Sequence, residues 1–177
     1  MKLTMGVALA LLATAALARE PAADKDVKSP LSALPQAEQR ECEAFGETYL
    51  RIAEMRDAGA DKLVAVDRGV QFLSGLGRTG SNHRGMNYKP AVTQFADFVY
   101  ANPKLNRRTV YLYGLSSCAI SKKAPDDPTF ESAMVALEKS IGPCQSKYPQ
   151  QEQVKPLAAC VLEPVNVTLQ KWAVATK

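Results

Sequence analysis

One histidine, four cysteines and a set of arginines and lysines in turn-forming sequence are the residues of this 177-residue chain with chemistry to offer. His83, between Asn82 and Arg84, is the single imidazole available for general-base work near neutral pH. Its partners are missing locally: Ser81, Ser116 and Ser117 stand outside any G-x-S-x-G turn, and a cysteine nucleophile would need an unpaired thiol. A lone histidine also excludes three-histidine zinc sites, and cysteines separated by 76, 26 and 16 residues contain no C-x-x-C. No catalytic residue, metal or cofactor is therefore assigned.

Residues 75–80, Gly-Leu-Gly-Arg-Thr-Gly, spell the dinucleotide fingerprint G-x-G-x-x-G. That fingerprint works only where a β-strand precedes the glycines and a helix N-terminus receives the pyrophosphate. Here Leu63, Val66, Val70 and Leu73 precede it at helical spacing, so an interhelical loop is the expected state. Glycan hydrolysis by paired carboxylates needs no local signature. Glu41, Glu43, Glu47 and Glu54 nevertheless fall on the polar side of an amphipathic helix, where solvation explains them. Phe95, Phe98, Tyr111, Tyr113 and Trp172 sit in apolar stripes and are expected in the core rather than on a stacking surface.

Charge carries more information than any motif. Residues 62–123 hold 10 Lys/Arg against 2 Asp/Glu, whereas residues 19–61 hold 6 against 10. Arg78, Arg84, Lys89, Lys104, Arg107, Arg108, Lys122 and Lys123 are expected in loops or at helix ends. Arg78, His83, Arg84, Lys89, Lys104, Arg107 and Arg108 make up the candidate binding surface. Such a field steers an acidic protein or an anionic envelope component toward it. The opposing expectation is internal compensation, in which the acidic first helix packs on the basic segment and cancels the field.

The elements that must position these residues follow from periodicity. Cys42, Phe45, Tyr49, Ile52 and Met55 mark one helix face, and Gly59 ends that helix. A second helix from about Asp61 folds back on it, and Pro90 opens a third, whose stripe is Val92, Phe95 and Val99. Residues 109–120 have strand-like composition but no strand to pair with, so they are read as helix. A fifth helix, capped by Asp127, carries Phe130, Met134, Leu137 and Ile141 and is expected to stop at Gly142-Pro143. A last stripe from Leu157 to Trp172 is expected to kink or divide at Pro164. The expected fold is all-α, a disulfide-stabilised bundle of about six helices, with residues 37–177 as a single domain.

Ahead of it, Lys2, an apolar run and Ala16-Leu17-Ala18 read as a signal peptide over residues 1–18, followed by a flexible leader over residues 19–36. The apolar run is too short to span a bilayer, and no membrane span is expected in the mature chain. Export to a bacterial periplasm or the exterior makes disulfides the natural state of Cys42, Cys118, Cys144 and Cys160. Of the three pairings, Cys42 with Cys118 and Cys144 with Cys160 is favoured, because it ties the start of the core to its middle and staples a local turn.

The stretch from Cys42-Glu43-Ala44-Phe45 to Arg56-Asp57-Ala58-Gly59 resembles small exported α-helical proteobacterial proteins of uncharacterised function. It covers about a quarter of the chain and implies no active site. The expected function is binding to another envelope macromolecule, with an inhibitor or immunity-type partner of an exported enzyme as one form; no nucleic acid is expected. The alternatives are a cell-envelope glycan- or peptide-acting hydrolase with dispersed catalytic residues and a structural or stress-related periplasmic protein.

Overall fold

The computed structural model describes residues 34–77, 87–124, 126–150 and 152–175. The signal segment, the leader through residue 33, and Arg78, His83 and Arg84 lie outside the described residues, as does the side chain of Trp172. The described residues form six helices and no strand: α1 (Gln36–Asp57), α2 (Lys62–Gly77), α3 (Lys89–Ala101), α4 (Arg107–Lys123), α5 (Asp127–Lys147) and α6 (Val154–Ala175). The run at 109–120 is thus helical, as its lack of a strand partner predicts. Leu34, just before α1, is already buried against Cys42 and Cys118, so the packed part reaches back beyond residue 37.

Helices α1 and α4 run antiparallel, joined by Cys42–Cys118 at one end and by Asp57 with Arg107 at the other, and Lys62 on Asp97 and the Tyr100 hydroxyl on the Ala60 carbonyl set α3 antiparallel to α2; α1 touches α2, α3 and α4. Ile52 and Ala53 of α1, Val66 of α2, Val92, Phe95 and Val99 of α3 and Val110 and Tyr113 of α4 share one core. Within it the Tyr49 ring stacks on Phe95 at 4.2 Å, and Phe98 stacks on Tyr113 at 3.6 Å. Phe95, Phe98 and Tyr113 therefore serve packing, as expected, whereas Tyr111 is half-buried outside this core. Helix α5 joins the bundle mainly through α4 and pairs with α6 as a hairpin.

Each half is closed covalently. Cys42–Cys118 ties the start of α1 to the end of α4, and Cys144–Cys160 ties α5 to α6; no cysteine is free. Two disulfides fit an oxidising compartment. No described helix is long and apolar enough to cross a membrane.

Three local expectations need correction. Asp126, not Asp127, caps α5: its carboxylate accepts from the Thr129 N–H at 2.8 Å, which leaves Asp127 and Pro128 as the first helical residues. Gly142-Pro143 does not end α5, which continues to Lys147. Pro143 costs one backbone bond near the helix end, and burial of Ile141 and Cys144 on either side keeps the turn helical. Of the two outcomes expected at Pro164, division of α6 does not occur, because Leu157, Val161, Leu162 and Val165 bury a face that runs past the proline.

Candidate functional site

The antiparallel order sorts the basic residues between the two ends of the bundle. Lys89 begins α3, whereas Lys104, Arg107 and Arg108 follow its end, roughly 18 Å away along a 13-residue helix. Gly77 and Asn87, which flank residues 78–86, lie at the Lys89 end. The residues that flank 78–86 and the basic turn, read with that segment as one surface in the sequence, therefore lie at opposite ends. Lys122 at the Lys89 end is paired with Glu41 at 3.0 Å, an α4-to-α1 contact of the compensating kind.

At the other end three elements converge. Helix α1 ends in a turn in which the Gly59 N–H donates to the Arg56 carbonyl and the Ala60 N–H to that of Met55. This closure needs a left-handed residue, supplied by Gly59 at φ 77°. It leaves Arg56 and Asp57 facing the start of α4. Arg56 turns inward: its side chain is 9% exposed and its guanidinium donates to the carbonyls of Val99, Asn102 and Leu105 at 3.1, 3.1 and 2.9 Å. It thereby adds a second donor to the Val99 and Asn102 carbonyls, fastens the Leu105 carbonyl beyond α3, and places positive charge at the negative end of that helix.

Helix α4 starts at Asn106, whose side-chain oxygen accepts from the Thr109 N–H at 2.9 Å. The side-chain amide of Gln145 bridges this loop to α5, accepting from the Asn106 N–H at 2.8 Å and donating to the Lys104 carbonyl at 2.9 Å. Arg108 reaches the turn between α5 and α6, donating through Nη2 to the Tyr148 carbonyl at 2.8 Å and through Nη1 to that of Gln150. Arg108 is therefore engaged in fastening the hairpin, whereas Lys104 is exposed.

Arg107 differs from both. It is 52% exposed and donates from Nε to Oδ2 of Asp57 at 3.0 Å, and its two terminal nitrogens have no partner among the described residues. Asp57 also accepts from Arg56 on Oδ1, at 2.7 and 2.9 Å. Burial alone would raise the Asp57 carboxyl; the hydrogen bonds from Arg56 and then Arg107 outweigh it and hold the group below the usual carboxylate range. These residues line an open groove of about 470 Å³ formed by Asp57, Asn106, Arg107, Arg108 and Pro149.

The groove lacks a group poised to donate a proton among its described lining. It holds one carboxylate, kept ionised by two guanidiniums, and a general acid needs the reverse. Among the described residues no three His, Cys, Asp or Glu side chains gather as metal ligands. Glu43, Glu47 and Glu54 are exposed on α1, as their polar face predicts. Residues 75–77 belong to the last turn of α2, where the phosphate fingerprint would need the end of a strand.

Asp57 and Arg56 were legible only as the end of a helix. Their meeting with Arg107 spans 50 residues of sequence and depends on the antiparallel register of α1 and α4, which no local pattern encodes. Comparison with protein-family models, curated proteins and solved structures finds no match to the chain.

Proposed function

We propose that the chain is an exported binding protein of the bacterial envelope, periplasmic or secreted, which takes an acidic segment of another protein into the groove at the start of α4. The observation that carries this reading is Arg107, a half-exposed guanidinium that lines an open groove and already holds one carboxylate there. Guanidinium binds carboxylate with directional, charge-assisted hydrogen bonds. The groove is shallow and open, which suits an extended segment lying along it more than an enclosed small ligand. The apparent signal sequence and two disulfides support export. An inhibitor or immunity-type partner of an exported enzyme would use such a surface.

A structural or stress-related role without a ligand is the second reading, favoured by Lys122 on Glu41 and by Arg108 on backbone carbonyls, both internal contacts. Equilibrium binding of a labelled hexaglutamate peptide to the full chain separates the two. The wild type should bind at low ionic strength and more weakly at physiological salt, and Arg107→Ser should bind several-fold more weakly with an unchanged helical signal. Equal binding by the variant, or binding of anionic phosphatidylglycerol vesicles without the peptide, would contradict the proposal.

A further inference from the structure

The two guanidiniums on Asp57 are mechanically unequal. Arg56 is almost wholly covered and fixed by three backbone carbonyls, so it stays where it is whatever happens in the groove. Arg107 is half exposed and has the Oδ2 contact of Asp57 as its one hydrogen bond among the described residues. Separation of Arg107 from Asp57 would leave the carboxylate still bound by Arg56 through Oδ1, so neither Asp57 nor Arg56 would be stranded without a counter-charge. An exposed single-contact pair of this kind is also weak enough to be displaced.

Resting on the binding reading above, we infer that the Asp57 carboxylate is an internal ligand of the groove, held on Arg107 until a carboxylate of the acidic partner replaces it. Asp57 lines the same groove that the partner enters and occupies Nε of Arg107, so a partner carboxylate that binds the guanidinium side-on, through Nε and a terminal nitrogen, must displace it. The exchange makes and breaks ionic hydrogen bonds only, with no proton or electron transferred. Asp57 thereby sets the affinity of the site: it lowers binding of weakly acidic segments, which cannot outcompete it, and admits strongly acidic ones.

Asp57→Asn tests this, since the amide keeps the size of the side chain and an oxygen for Arg56 but removes the charge that retains Arg107. Hexaglutamate should bind this variant about two- to fivefold more tightly than wild type at low salt, the range expected for freeing one exposed ion pair. In an Arg107→Ser background the same substitution should give no gain, because the competition requires Arg107. A gain that persists in that background would mean that Asp57 acts only through its general field, and would overturn the inference. So would unchanged or weaker binding by Asp57→Asn while Arg107→Ser still weakens binding, a result that leaves the binding reading standing. If Arg107→Ser has no effect, the binding reading fails and the inference with it. Asp57→Ser serves as the second variant should Asp57→Asn lose its helical signal, and unfolding of both would show a structural counter-ion instead.

Discussion

The Tyr49 ring covers Gly114 so closely that a β-carbon on the glycine would overlap it. Helix α4 therefore approaches α1 at a distance that only glycine allows there, and the same close pair delivers Asp57 to Arg107 at its far end. Gly114→Ala should destabilise the chain by about 1–3 kcal/mol through overpacking. Thermal unfolding checks this at roughly 2–4 °C per kcal/mol for a chain of this size. Gly75→Ala is the control: no residue beyond its own chain neighbours and helix backbone lies within 4 Å of its β-position in α2, so it should be neutral or stabilising by up to about 1 kcal/mol.

The disulfides close two different parts, and their loss should be felt separately. Cys42–Cys118 closes a loop of 76 residues and Cys144–Cys160 one of 16. Chain-entropy arguments make the first worth about 4.5 kcal/mol and the second about 3. Replacing Cys144 and Cys160 by serine should speed amide hydrogen exchange in α5 and α6 before α1–α3, because the hairpin meets the rest mainly through α4. Uniform acceleration across all six helices would show that the hairpin is not a separate unit.

Alkali should unfold the protein through its core tyrosines. Burial raises the phenols of Tyr49 and Tyr113 well above the ordinary tyrosine value, and the nearby Glu138 carboxylate raises both further. The folded state thus keeps both phenols protonated where the unfolded chain would ionise them. Their contribution is complete below about pH 10, the unfolded tyrosine value, and is lost progressively as pH climbs above it toward the raised folded values. Thermal transitions recorded at increasing pH should fall above about pH 10 together with the rise of phenolate absorbance. A transition temperature unchanged while phenolate appears would contradict the assignment of these two rings to the core.

Much of the scaffold was legible before any coordinates. The face formed by Cys42, Tyr49 and Ile52 is buried as its three- and four-residue spacing predicts, and the disulfides join the cysteines that chain order favours. The prolines misled because local backbone cost was weighed without the packing on either side: Pro143 and Pro164 both lie within helices whose neighbouring residues are buried. Lys104, Arg107 and Arg108 stood out by charge. Their different roles did not, because Arg108 is engaged by carbonyls about 40 residues later and Arg107 by a carboxylate 50 residues earlier. Both contacts exist only after helices distant in sequence have paired.

The central claim, that an acidic segment binds at the start of α4, is tested most directly by locating the contact. Titration of the isotope-labelled full chain with hexaglutamate, followed by nitrogen–proton correlation spectra, should move the backbone signals of Asp57, Asn106, Arg107, Arg108 and Gln150 and the side-chain Nε–H of Arg107. Hexalysine should leave these signals in place. Shifts confined to the opposite end, around Lys89 and Lys122, or the absence of saturable shifts at low ionic strength, would contradict the claim.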